Sequence, residues 1–142
     1  MALTVQTVEY FYTRVANASG QAYGLLAQLA EAEINLLAFS AVPFGEQHVE
    51  FTLFPERSDA LSNAAAGLGW ELVGPQHAVL IQGDDRLGAL ADIHRCLNEA
   101  GVTVYASTGV TDGSGHFGYV IYFRDEDHLN AARAIAAVSI RK

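Results

Sequence analysis

The sequence predicts an α+β fold built from two tandem βαββαβ units, each an antiparallel four-stranded sheet with two helices on one face. Two observations carry this expectation. Strand-like and helix-like hydrophobic periods alternate in the same order in each half of the chain. The punctuation of the first half also returns 68 residues later in the second.

The repeat runs the length of the chain. Residues 8–15 (VEYFYTRV) align with 76–83 (QHAVLIQG), and Asn17-Ala18-Ser19-Gly20 aligns with Asp85-Arg86-Leu87-Gly88. Leu25 and Leu29 fall on Ile93 and Leu97, and residues 31–36 fall on 99–104. With one extra residue placed in the second hairpin, Phe51-Thr52-Leu53-Phe54 meets Val120-Ile121-Tyr122-Phe123.

In the first half, residues 8–15 are aromatic and β-branched, as strands prefer. Residues 21–32 place Leu25, Leu26 and Leu29 at helical spacing. Residues 34–42 read as a strand, Pro43-Phe44-Gly45-Glu46 as a turn, and 48–54 as a strand alternating Val49, Phe51 and Leu53 with Glu50 and Thr52. Ser58 is placed to cap an Ala-rich helix over 60–67, and 70–73 is a short final strand. In the second half, 78–82 is a strand whose apolar residues imply burial on both faces. Residues 86–100 form a helix with Leu87, Leu90, Ile93 and Leu97 on one side and Gly101 just past its end. Strands over 102–111 and 116–123 flank the turn Asp112-Gly113-Ser114-Gly115, a helix covers 125–137, and 138–140 is the last strand. The expected modules are 1–74 and 75–142, too closely joined at Gly74-Pro75-Gln76 for a flexible linker. Each is a marginal core alone, so close packing and a homodimer are expected.

The βαββαβ order is that of the ferredoxin-like fold, and the loops resemble those of the ACT domain. That family has Asp/Asn-x-Pro-Gly before its first helix. Here the loops read Asn17-Ala18-Ser19-Gly20 and Asp85-Arg86-Leu87-Gly88-Ala89-Leu90-Ala91, with Ser19 and Leu87 where the proline usually stands. The resemblance spans nearly the whole chain. It implies a free-standing tandem that regulates by binding an amino acid or similar metabolite, with a separate enzyme as a possible regulated partner. It also implies ligand-binding positions at Asn17, Ser19, Gly20 and Gln21, with Phe39 and Ser40 on the next strand. In the second half the matching positions are Asp84, Asp85, Leu87 and Gly88, with Ser107 and Thr108. Physically, amide N–H groups at a helix start favour an α-carboxylate, and Asn17 or Asp85 can accept from an α-ammonium. The plainer alternative is that Asn17 and Asp85 are ordinary helix caps.

The remaining residues narrow the function classes. Sixteen acidic against eight basic residues, net charge −8, with no basic cluster, disfavour nucleic acid. No stretch approaches the roughly 18 apolar residues of a membrane span, and Met1-Ala2-Leu3-Thr4-Val5-Gln6 shows no signal peptide, so a cytoplasmic protein is expected. The single Cys96 permits no internal disulfide and reads as a core thiol. The five histidines show no metal-ligand spacing, so no metal, cofactor or catalytic residue is expected. Asp84-Asp85 and Asp125-Glu126-Asp127 suit helix starts. Tyr10-Phe11-Tyr12 reads as core or interface packing. Three functions stay open in this order: a regulatory amino-acid-binding module, a structural or interaction module, and a small enzyme using His116 or a tyrosine.

Overall fold

A computed structural model describes residues 3–140; Met1, Ala2, Arg141 and Lys142 lie outside it. The elements in chain order are β1 (Leu3–Ala16), α1 (Gln21–Glu31), β2 (Leu36–Phe44), β3 (His48–Pro55), α2 (Ser58–Leu68), β4 (Val73–Asp84), α3 (Ala89–Glu99), β5 (Ala106–Thr111), β6 (His116–Tyr122) and α4 (His128–Ile140). The result is a mixed fold of antiparallel strand pairs and four helices. No helix among the described residues is long and apolar enough to cross a membrane.

Two compact units emerge. One is residues 9–76; the other is residues 77–140 together with the opening of β1 up to Val8. In the first, the strand order is β2-β3-β1-β4, with β3 antiparallel to both β1 and β2. In the second it is β5-β6-β4-β1, with β6 antiparallel to both β4 and β5. Both are the 2-3-1-4 order of a ferredoxin-like sheet.

This order corrects two expectations. Residues 138–140 do not form a strand; they continue α4. The Ala-rich run before them favours helix and carries it through. The fourth strand of that unit comes from the other end of the chain, where Leu3 and Val5 pack on its core. Likewise 70–72 are not a strand, and β4 starts at Val73 and runs on through what reads as a separate strand.

The repeat is in cleaner register than the alignment suggests. Phe11 pairs with Leu53 and Phe39 with Leu53; Val79 pairs with Ile121 and Ser107 with Ile121. All of these equivalences keep the offset of 68, so no extra residue sits in the second hairpin. A one-residue slip would have turned every side chain of the strand to the other face. The offset changes later: Leu61 and Ala131, both fully buried on their helices, are 70 apart. The second unit therefore carries two more residues between β6 and α4.

Each unit has its own core. In the first, Phe11, Phe51 and Leu53 from the sheet meet Leu25, Leu29 and Leu61 from the helices. In the second, Val79, Ile81, Tyr119 and Ile121 meet Ile93, Leu97, Ala131 and Ile135. Burying each large aliphatic side chain contributes about 1.5–3 kcal/mol. Ala78, Val79, Leu80 and Ile81 are all buried, as their two-faced apolar run predicts. Cys96 is buried, and its thiol donates to the Ala134 carbonyl. Pro43 is accommodated in β2, an edge strand.

Candidate functional site

The two loop-to-helix junctions share their anchoring backbone hydrogen bonds. The Asn17 N–H donates to the Gln47 carbonyl at 2.8 Å, and the Asp85 N–H donates to the Gly115 carbonyl at 2.8 Å. Each loop is thus fastened to the hairpin turn beside it. Both helices then start at a left-handed glycine, Gly20 with φ 87° and Gly88 with φ 83°. That conformation costs an L side chain about 1–2 kcal/mol, which accounts for glycine at both places. Neither helix has a side-chain cap. Asn17 and Asp85 therefore do not cap, because the glycine and not the Asn or Asp occupies the capping position. Ser58 is not a cap either: it is the first residue of α2, and Arg57 precedes it without a side-chain bond.

An open cleft of about 580 Å³ lies at each junction. In the first unit Ser19, Gly20 and Gln21 line it, with Arg14 from β1, Gln28 from α1, and Trp70 and Glu71 beyond α2. In the second unit Asp85, Leu87 and Gly88 line it, with Arg86, Gly109, Val110, Thr111 and Phe117. The other expected residues lie elsewhere. Asn17 anchors the loop by its backbone. Asp84 stands at the end of β4 opposite His116. Phe39 turns into the first core, its ring 5.5 Å from that of Phe51. Ser40 sits opposite Thr52, and Thr108 opposite Val120.

The sequence missed the far end of β5 for a geometric reason. Asp84 pairs with His116 and Thr111 with Phe117, so the loop meets the last residues of β5. Ser107 is four residues from Thr111, or about 13 Å along a strand.

The two arginines at the clefts, Arg14 and Arg86, are held. Arg14 binds Glu50 at 2.9 Å and lies over the Phe44 ring at 3.7 Å. Arg86 pairs with Asp92 and reaches the Leu87 carbonyl at 3.4 Å. These contacts brace the loop that carries Gly88. Across the second hairpin turn, the Asp112 carboxylate accepts from the N–H groups of Ser114 and His116. Those bonds, the one from Ser114 first, hold its pKa below the ordinary carboxylate value.

Ser107 has a different role from the expected one. The Tyr119 hydroxyl donates to Ser107 Oγ at 2.9 Å, and its oxygen lies 2.6 Å from His94 Nε2. Gly109 permits this arrangement, since a Cβ there would stand 2.9 Å from the Tyr119 ring. Tyr119→Phe should lower stability by about 1–2 kcal/mol, because two hydrogen bonds next to the second core are lost. Urea unfolding of the variant beside the parent checks this; no change in midpoint would refute it.

A further cluster was not legible in the sequence. His77 of β4, Asp125 of the β6–α4 connection and His128 of α4 come together. One donor atom from each lies within 4.8 Å of the other two. His77 and Asp125 are 48 positions apart, so no local spacing reports them.

Comparison with known proteins now bears on this geometry. No protein-family model and no curated protein sequence matches the chain. Solved structures do match. Protein BT0572 from Bacteroides thetaiotaomicron superposes with TM-score 0.79 at 17% identity, over 94% of this chain and 89% of that one. The ligand-free regulatory subunit of aspartate kinase from Thermus thermophilus superposes with TM-score 0.66 at 16% identity, over 97% of each chain.

The chain has the fold of an aspartate kinase regulatory subunit.

The regulatory subunit from Thermus flavus agrees, with TM-score 0.58 at 16% identity over 97% of each chain. At such identities the likeness concerns the fold. The clefts described above are features of this chain's own loops.

Proposed function

We propose that the chain is a non-catalytic regulatory module: two ACT-type modules, one over residues 9–76 and the other over residues 77–140 with the opening of β1 in place of the expected 1–74 and 75–142, that bind a small zwitterion, an amino acid. The observation that carries this reading is the twice-repeated junction. Each has a left-handed glycine, a helix start without a side-chain cap, and an open cleft of about 580 Å³ above it. The first amides of a helix have no intrahelical partner, so an uncapped start suits a carboxylate. Ser19 and Gln21 in one cleft, and Asp85 in the other, supply polar groups for an ammonium. The fold shared with aspartate kinase regulatory subunits supports the same reading.

The protein would act in the cytoplasm on a separate enzyme, without nucleic acid and with no cofactor in the regulatory step. Leu87 is fully exposed, and Tyr105 and Tyr23 are nearly so. Such apolar exposure fits a homodimer in which a second copy covers it.

Thermal unfolding against each common amino acid at millimolar concentration tests the proposal. A ligand at a hundred times its dissociation constant adds about 2.7 kcal/mol, a rise of roughly 5–10 °C here. A rise confined to one amino acid, or to related ones, names the effector. A flat panel refutes ligand binding and leaves an interaction module.

A further inference from the structure

The two clefts are not copies of one another. The first opens between α1, the end of β1 and residues 69–71 beyond α2. The second opens between the start of α3 and the ends of β5 and β6. Their linings differ as their positions do. Polar and glycine residues dominate the first, Thr13, Ser19, Gln21, Gln28 and Glu71 among them. Leu87, Leu90 and Phe117 give the second an apolar wall. At the places of Leu87 and Leu90, 68 residues earlier, the first unit has Ser19 and Ala22.

The leucines of the second cleft are not used by the core. Phe117 is buried and belongs to that core, whereas Leu90 is 40% exposed and Leu87 fully exposed. Exposed apolar residues scattered singly are ordinary, but these three line one cleft of about 580 Å³, the size of a small-ligand site. Alternation along β5 sets Gly109 and Thr111 on the same face as Ser107, the face that meets Tyr119. Gly109 adds no side chain to that wall, so the space in front of it stays open. Among the described residues that line this cleft, Asp85 and Arg86 are the charged ones. Both lie in the loop before α3, and Arg86 pairs with Asp92. A charged ligand side chain reaching past Leu90 toward Phe117 would lose water and gain no ion partner.

We propose that the second cleft takes an amino acid with an apolar side chain, of the leucine or phenylalanine class, and that the first cleft does not share this preference. The inference rests on the amino-acid reading above and names the ligand class for one of its two clefts. The α-carboxylate meets the amides at the start of α3, and the α-ammonium meets Asp85. The side chain then lies across Leu90 and Phe117, with Leu87 at the mouth. Leu87 is open to a second copy of the chain as well, so Leu90 and Phe117 carry the preference.

Calorimetric titration of the full chain carrying Gly20→Val, which silences the first cleft, tests this. The probes are L-leucine, L-phenylalanine, L-serine, L-aspartate and L-lysine. One equivalent of L-leucine or L-phenylalanine is expected to bind, at least about tenfold more tightly than the other three. Leu90→Ala and Leu87→Ser, each matching the first unit, are expected to weaken that binding about tenfold. Leu90→Met keeps an apolar side chain of similar volume and retains it. Leu90 is exposed on its helix and Leu87 in its loop, so these variants keep the parent's unfolding temperature. Serine, aspartate or lysine binding as tightly as leucine overturns the inference and leaves the regulatory reading standing. So does leucine binding that survives Leu87→Ser with Leu90→Ala, whether or not self-association is lost. A flat panel here, with amino-acid binding by the parent chain, overturns the inference alone. A flat panel for the parent as well overturns the regulatory reading with it.

Discussion

Gly88→Val is expected to abolish the ligand response of the second unit while leaving the protein folded. A Cβ at Gly88 meets nothing within 4 Å, so no steric clash unfolds the loop. The cost is conformational. At φ 83° a β-branched residue is strained by about 2 kcal/mol, which a chain of this size tolerates. The new side chain projects into the cleft where the helix amides would meet a carboxylate, and ligand affinity there should fall a hundredfold or more. Gly20→Val does the same in the first unit, where a Cβ also meets nothing. Calorimetric titration of the single variants and the double variant with the effector separates the two sites. Unaltered binding in the double variant would place the ligand elsewhere and remove the junctions from the proposal.

Much of the fold is written in local pattern. Of the residues chosen from helical spacing, Leu25, Leu29, Ile93 and Leu97 are buried, whereas Leu26 and Leu90 are exposed and Leu87 lies fully exposed in the loop before α3, which starts at Ala89 and not at Arg86. The hairpin at Asp112-Gly113-Ser114-Gly115 forms between β5 and β6. What the pattern does not hold is where the chain ends go. Residues 3–8 look like the lead-in to a first strand, yet they complete the second unit. Nothing nearby in sequence distinguishes those two uses of an extended segment. The site shows the same division. Glycines before helices mark both junctions, because that punctuation is local. The opposite walls of the clefts, Trp70 and Glu71 in one and Gly109 to Thr111 in the other, depend on which strand end meets which loop. His77 and His128 meet only through the packing of α4 on the sheet. The alignment also misplaced its own gap. It put an extra residue in the second hairpin, whereas the strand pairs keep one offset and the two added residues come before α4.

Gly74→Ala carries the largest stability loss expected from a single added methyl group. The backbone at Gly74 has φ 139°, a region that L side chains rarely adopt. A Cβ built there would stand 2.7 Å from the Tyr10 carbonyl oxygen and 3.0 Å from the Phe11 ring. The first neighbour is backbone of β1, and the second belongs to a ring buried in the first core, so neither gives way cheaply. Strain of about 1–3 kcal/mol and overpacking of about 1–3 kcal/mol act together, for a loss of roughly 3–5 kcal/mol. Gly67→Ala provides the opposite sign. It lies inside α2, and a Cβ there meets nothing within 4 Å. Helix propensity alone then raises stability by about 0.5–1 kcal/mol. Urea unfolding of both variants reads the two effects against one baseline. The contrast follows from position: the same methyl group that steadies an open helix turn forces β4 away from β1 at the point where the first unit closes its sheet. Equal midpoints for the two variants would mean that the start of β4 is not held against β1, and the strand order of that unit would have to be redrawn.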